Sequence, residues 1–118
     1  MALPARRTRP RSGIERNGPA RCPQHLAWVR THRCSVPGCD SAPIEAAHVR
    51  IGTDGGTAMK PSDCWVISLC ADHHAEQHRV GERSFEARHV INMRLLALEF
   101  AAKSPSWQRF LAKQREER

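Results

Sequence analysis

The stretch that decides the fold is Leu69-Cys70-Ala71-Asp72-His73-His74-Ala75-Glu76-Gln77-His78. On a helix, at about 100° per residue, Cys70 and His73 lie about 60° apart around the axis. His74 and His78 lie about 40° apart, so each pair shares a face. The midpoints of the two pairs are about 90° apart, which is too far for one ion to reach all four side chains easily. The stretch therefore predicts two neighbouring metal sites.

The first pair has distant partners of the right chemistry. Cys34 and Cys39 flank a turn that contains Pro37 and Gly38, a dipeptide that suits a tight reversal. Together with Cys70 and His73 they supply three thiolates and one imidazole, a donor set typical of structural zinc. The alternative is that the cysteines are small buried hydrophobic residues.

Composition also favours a metal-stabilised fold. A chain of 118 residues forms one domain, and 3 Phe, 3 Trp and no Tyr leave few aromatic residues for its core. There is no signal-like apolar stretch and no run long enough to cross a membrane, so we expect a protein of the reducing cytoplasm with no membrane association. There, metal is a more common stabilising element than a disulfide.

Two cysteines remain outside this zinc set. Cys22 and His32 could contribute to a second zinc site, but the residues after Pro23 are more simply explained as the apolar face of a short helix. Cys64 precedes a strand-like segment and is expected to be a passive core or edge residue.

The charge of the chain predicts a polyanionic partner, and DNA is the expected one. Lys and Arg number 19 against 12 Asp and Glu, which gives a net charge of +7. Six arginines crowd residues 1–21 among Pro, Gly and Ser, a composition that predicts an arm disordered until it meets phosphate. A solubilising tail is the alternative for this arm. Residues 22–103 are expected to form the zinc-stabilised domain, and residues 104–118 a charged tail.

The middle of the chain predicts a small α+β fold. Residues 44–51 have strand character, residues 52–57 are a Gly-rich loop, residues 65–69 return as a second strand, and a helix ended by Gly81 follows. Apolar residues after Gly81 predict one or two further packing helices, with Asn92 as a cap and Pro105 as a stop. Residues 107–111 are expected to add a short turn.

The second pair, His74 and His78, has the i, i+4 spacing that lets two imidazoles reach one ion. Such pairs also arise by chance on solvated helices. His48, on the facing strand, is the candidate general base, because an imidazole with a pKa of about 6.5 is largely neutral near pH 7. The alternative for a lone strand histidine is a buried structural role. Two histidine ligands and a nearby base indicate metal-dependent hydrolysis of a phosphodiester.

The order of these features resembles the HNH endonuclease family, which has a ββα-metal, treble-clef-like fold. The resemblance covers roughly residues 22–103. It rests on His48, a Gly-containing loop, a strand ending at Leu69-Cys70, and the histidines of residues 71–78. More narrowly, residues 47–50, 59–63 and 69–78 resemble the phage-borne branch that includes the recombination-enhancement nucleases. In many members two Cys pairs bind structural zinc, and His73 stands here in place of the last Cys.

The resemblance implies a role for each matched residue. His48 would be the general base, and His74 and His78 would ligate a catalytic Mg²⁺ or Mn²⁺, beside a structural Zn²⁺. Cleavage would leave 5′-phosphate and 3′-hydroxyl ends on phage or prophage DNA, with little sequence selectivity and with a recombinase filament as a partner. Asp63 is a candidate further ligand of the catalytic ion. The candidate phosphate contacts are Arg50, Lys60 and Arg79.

Two positions depart from the family pattern and motivate a different reading. Many relatives have Asp or His immediately before the base, where this chain has Ala47, and the middle Asn of the motif corresponds to Trp65. A zinc-stabilised DNA-binding module without catalysis is therefore the main alternative. A zinc-built adaptor whose basic arm docks an acidic protein is a third.

Overall fold

The computed structural model describes residues 18–55 and 59–117. The elements run α1 (Pro23–Val29), β1 (Ile44–His48), β2 (Val66–Cys70), α2 (Ala71–Val80), α3 (Glu82–His89), α4 (Met93–Lys103) and α5 (Pro105–Glu116). In this part of the chain the protein is a small α+β domain with five helices and one two-stranded sheet. None of these helices is both long and apolar enough to span a membrane.

The sheet is an antiparallel pair in which Ile44 faces Cys70 and His48 faces Val66. Every residue of β2 is buried, because α4 packs against this strand and α1 contacts both strands. The core includes Ile67, Leu69 and Phe85. The chain then passes directly from Cys70 into α2, so the helix that carries the histidines is fixed to the buried strand.

The first strand ends earlier than the sequence predicts, at His48 rather than at residue 51. The backbone N–H of Val49 still bonds the carbonyl oxygen of Trp65, at 2.8 Å. Beyond it, the N–H groups of Arg50 and Ile51 donate to the Glu82 carboxylate of α3 and no longer pair with β2. The second strand is displaced by one residue, to 66–70.

The helix boundaries follow local signals in the sequence. Gly81 ends α2 with φ +90°, a backbone angle that side chains disfavour. The Asn92 side chain caps α4 as predicted, by accepting from the N–H of Leu95. Ser104 caps the next helix through the N–H of Trp107, and Pro105 is its first residue. Where a short turn was expected at residues 107–111, α5 therefore runs from Pro105 to Glu116, with Trp107 buried.

The basic arm was expected to span residues 1–21. Residues 1–17 lie outside the described part of the chain, so the disorder expected for that segment stays a prediction. Ala20 and Arg21 belong to the folded domain, since the N–H of Ala20 donates to the Ser62 hydroxyl at 2.8 Å. Arg21 donates to the backbone carbonyls of Lys60 and Pro61.

Candidate functional site

Four side chains form a cluster that could hold a metal ion such as zinc. The donor atoms of the four residues all lie within 4.8 Å of one another: Cys34, Cys39, Cys70 and His73. The Nδ1 atom of His73 is 3.4 Å from Cys34 Sγ and 3.3 Å from Cys70 Sγ, and the Sγ atoms of Cys39 and Cys70 are 3.9 Å apart. A tetrahedral zinc site has S···N edges of about 3.6 Å and S···S edges of about 3.8 Å. The donors therefore fit one tetrahedral ion.

Local structure explains how these donors meet. The N–H of Cys39 bonds the carbonyl of Val36, which closes the turn that carries two of the cysteines. Cys70 is the N-cap of α2 and accepts from the backbone N–H of His73, so both donors are fixed at the start of that helix. Burial raises the pKa of the Cys34 thiol to about 11, whereas the backbone N–H of Ser41 lowers the pKa of Cys39. Cys39 is thus the readier thiolate of the turn.

The next residue, His74, belongs to a different site. Its Nε2 atom is 3.3 Å from the Nε2 atom of His78, as the i, i+4 spacing predicts. Two imidazoles on one cation at about 2.1 Å have nitrogens about 3 to 3.4 Å apart. The Nδ1 atom of His74 donates to the Glu45 carboxylate at 2.6 Å, which leaves the lone pair of a neutral ring on Nε2. The separation of the two Nε2 atoms is therefore in the range that two imidazoles on one ion would have, and Glu45 contacts the outer nitrogen of His74.

His48 stands at the end of β1, with its side chain 15% exposed. Its Nε2 atom donates to the Asp63 carboxylate at 3.0 Å. Burial lowers the pKa of His48 below its usual 6.5, and the hydrogen bond to Asp63 opposes that shift. The ring is therefore mostly neutral at pH 7, as a general base must be.

Asp63 was predicted as a possible further ligand of the catalytic ion, and within the described residues it shares no metal-compatible group with His74 and His78. Its carboxylate, 4% exposed, accepts from His48, from Arg21 and from the backbone N–H of Cys22. Both oxygens are thus occupied by donors from the protein, and none of these donors is on α2. The structure therefore places Asp63 in direct contact with the candidate base.

One cleft of about 520 Å³ brings the candidate base and the metal pair together. Its described lining consists of Leu26, Arg30, Ala46, His48, Arg50, Lys60, His74, Gln77, His78, Gly81 and Glu82. Two of the three predicted phosphate contacts, Arg50 and Lys60, are among them. Arg79 is exposed on α2 outside this lining. The cleft therefore combines three histidines with three cationic side chains.

The two departures from the family pattern are both packed positions. Ala47 is fully buried in the core. Trp65 packs against the same core, and the Arg94 guanidinium lies 5.5 Å from the centre of its ring. Neither side chain carries an atom that ligates a metal ion, so these two positions add no ligand to the pair His74 and His78.

Sequence reasoning missed Glu45 and Arg30. Strict alternation along a strand puts Glu45 and His48 on opposite faces, so the strand pattern does not indicate that Glu45 contacts a histidine of the same cleft. Arg30 follows a helix expected only for its apolar face, yet it lines the cleft. The sequence signals that could have identified them are the position of Glu45, three residues before His48, and the position of Arg30 at the end of a helix.

Two other groupings of possible ligands can be compared with these sites. His73, Glu76 and His89 lie within 4.8 Å of one another, but the Glu76 carboxylate already binds Arg88 at 2.7 Å and His89 at 2.9 Å. Cys22 and His32 are not joined in any metal-compatible group of the described residues. Pro23–Val29 is instead a helix, as the apolar pattern predicts.

Fold and site together define a small α+β protein with a Cys3His cluster and an adjoining basic histidine cleft. The chain belongs to the family described as Protein of unknown function (DUF968), whose model matches residues 14–104. No curated protein and no solved structure matches it.

Proposed function

We propose that this chain is a metal-dependent DNA endonuclease of the HNH type. The observation that carries the proposal is the single cleft that holds His48, His74 and His78. Arg30, Arg50 and Lys60 line the same cleft, and cationic side chains are what bind a nucleic-acid backbone. A net charge of +7 supports the same class of partner.

The proposed metals have different roles. Zn²⁺ held by the Cys3His cluster would fix the start of α2 against the turn of Cys34 and Cys39, a closed site that leaves no position for substrate. A divalent ion on His74 and His78 would have open positions and would neutralise charge that develops on the scissile phosphate and departing oxygen. Two imidazole donors favour first-row transition ions such as Mn²⁺ or Ni²⁺ over Mg²⁺.

His48 would start the reaction as the general base. An imidazole nitrogen takes a proton from water, and the water oxygen attacks phosphorus in line with the 3′-oxygen. The P–O3′ bond breaks, its electron pair stays on the 3′-oxygen, and that oxygen takes a proton from solvent. The products carry 5′-phosphate and 3′-hydroxyl ends. Arg30, Arg50 and Lys60 would hold neighbouring phosphates, which gives binding without base-specific readout.

The proposed cellular setting is a reducing compartment in which phage or prophage DNA is processed. The five cysteines are free, which suits a reducing compartment such as the cytoplasm. A role in phage or prophage DNA processing, with a recombinase filament as partner, rests on the family resemblance alone.

The test is a nicking assay on supercoiled plasmid with Mn²⁺, Ni²⁺ or Mg²⁺. We expect the wild-type chain to nick the plasmid, and His48→Ala and His74→Ala to lower the rate by about 100-fold or more. His32→Gln is the matched control, because His32 lines a different cleft. Equal nicking by all variants would show that the activity does not arise from these histidines.

A second candidate is a zinc-stabilised DNA-binding module without catalysis. Ala47 favours it, because the family's usual ligand at that position is absent and the alanine is fully buried. This candidate predicts salt-sensitive DNA binding with no cleavage under any of the three metals. Cleavage that disappears in His74→Ala would exclude it.

A further inference from the structure

Asp63 is a buried carboxylate with three donors. Its Oδ1 atom is 3.0 Å from His48 Nε2 and 3.2 Å from a guanidinium nitrogen of Arg21, and its Oδ2 atom accepts from the N–H of Cys22 at 2.7 Å. A buried charge is costly unless it is paired and hydrogen-bonded. Here the pairing is complete on both oxygens, so the carboxylate is held in one orientation.

The segment that carries Asp63 is fixed by the residues that precede α1. The N–H of Asp63 bonds the carbonyl of Ala20 at 2.8 Å, and Arg21 bonds the carbonyls of Lys60 and Pro61. Ser62 is held as well, because its N–H and hydroxyl both donate to the Asp54 carboxylate. The anion beside His48 therefore belongs to a rigid support built from two distant parts of the chain.

The hydrogen bond to Asp63 determines the tautomer of His48. A carboxylate accepts but does not donate, so Nε2 must carry the proton of the neutral ring. The lone pair then lies on Nδ1, and within the described residues Nδ1 has no hydrogen-bond partner. The backbone carbonyl of His48 lies 3.5 Å from the Gln77 side-chain amide, so this contact does not involve the ring.

We propose that Asp63 is a positioning residue that holds His48 as the Nε2–H tautomer, so that Nδ1 is the nitrogen that takes the proton from water. This inference rests on the proposed function for the catalytic role of His48. It makes Asp63 part of the base and not a ligand of the metal, and it gives Arg21 the role of balancing the buried charge. In this arrangement His48 needs no reorientation before the proton moves.

The first test is the tautomer itself, read from ¹⁵N chemical shifts of the imidazole in the metal-free protein. We expect His48 to be the Nε2–H form in the wild type. In Asp63→Asn we expect a mixture, because an amide can donate as well as accept. Glu99→Gln removes an exposed charge on α4 and is the matched control. An Nδ1–H ring in the wild type, or an unchanged ring in Asp63→Asn, would overturn the proposal whether or not the chain cleaves DNA.

The second test is a double-mutant cycle on cleavage. Asp63→Asn alone should lower kcat by roughly 10- to 100-fold, with little change in KM, because part of the contribution of a general base is lost. In the His48→Ala background the same substitution should have almost no further effect. If the loss in that background equals the loss in the wild type, Asp63 acts on the fold and not through His48. Melting temperatures of the wild type, the two single variants and the double variant show independently whether Asp63→Asn destabilises the fold.

Discussion

Two consecutive histidines of α2 lie in opposite kinds of site. His73 enters a cluster of three thiols, two of them buried, in which every donor faces the others. His74 meets His78 and Glu45 at the wall of an open cleft lined by cationic residues. A closed donor set stabilises a fold, whereas an incomplete set leaves positions for substrate and water. One helix thus joins a site suited to structure with a site suited to chemistry.

The difference has a simple geometric origin. Successive residues on a helix point about 100° apart, so neighbours in sequence face different surroundings. His73 is fixed near the N-terminus by the Cys70 cap, and that fixes the direction of His74 as well. A change at the closed site should therefore affect both sites, whereas a change at the open site should affect only one.

The largest effect is expected at the closed site. Cys70→Ser should abolish zinc binding and cooperative folding, because structural zinc supplies about 10–16 kcal/mol in small domains, as much as their whole stability of about 5–15 kcal/mol. Circular dichroism melts and elemental analysis measure both losses. Cys64→Ser is the control, since Cys64 lies outside the cluster. A Cys70→Ser protein that folds without zinc would show that the Cys3His cluster is not needed for the fold, and the contrast between a structural site and an open site would then fail.

The next effect is expected at Glu45 and should spare the fold. Glu45→Ala removes the acceptor of His74 Nδ1–H, and loss of such an outer contact lowers metal affinity by about 10- to 100-fold. Titration with Mn²⁺ followed by calorimetry measures it. Glu45→Gln should be closer to the wild type, because its amide oxygen still accepts. Equal Mn²⁺ affinity in all three proteins would mean that the contact is only a surface ion pair.

The pH dependence of cleavage tests whether His48 is the general base of the open site. Only neutral His48 can accept a proton, so kcat/KM should fall as the pH drops through the pKa of His48. Because burial lowers that pKa, the acidic limb should lie below pH 6.5. A stopped-time pH series in matched ionic strength locates the limb. A limb at or above pH 6.5 would contradict the assignment of His48 as the base.

The smallest effect is expected for a single cationic residue. Arg30→Ala should weaken DNA binding a few-fold and reduce the slope of log K against log salt by about one, as for one lost phosphate contact. Arg79→Ala is the comparison, because Arg79 lies outside the lining of the cleft. Fluorescence anisotropy at several salt concentrations gives both slopes. A larger change for Arg79 would place the DNA on another face.

Much of the fold follows from local signals in the sequence. Pro23 begins a helix, Gly81 ends one and Asn92 caps one, because each signal acts on a backbone group next to it. The predicted boundaries that are wrong are those determined by contacts between residues far apart in the sequence. The first strand ends at His48 because the next backbone N–H groups, those of Arg50 and Ile51, donate to the Glu82 side chain of α3. The local sequence around the strand does not indicate this contact.

The candidate site shows the same division. The spacing of Cys70, His73, His74 and His78 was enough to predict two groups of donors, and the structure brings each group together. The roles of Glu45 and Asp63 could not be predicted in this way. Both depend on which nitrogen of a distant histidine their carboxylates reach.

The most direct test of the division along α2 is anomalous diffraction from crystals soaked in Mn²⁺, with data at the zinc and manganese edges. We predict zinc among Cys34, Cys39, Cys70 and His73, and manganese between the Nε2 atoms of His74 and His78. A single ion shared by both groups, or manganese beside His73, Glu76 and His89 instead, would contradict it.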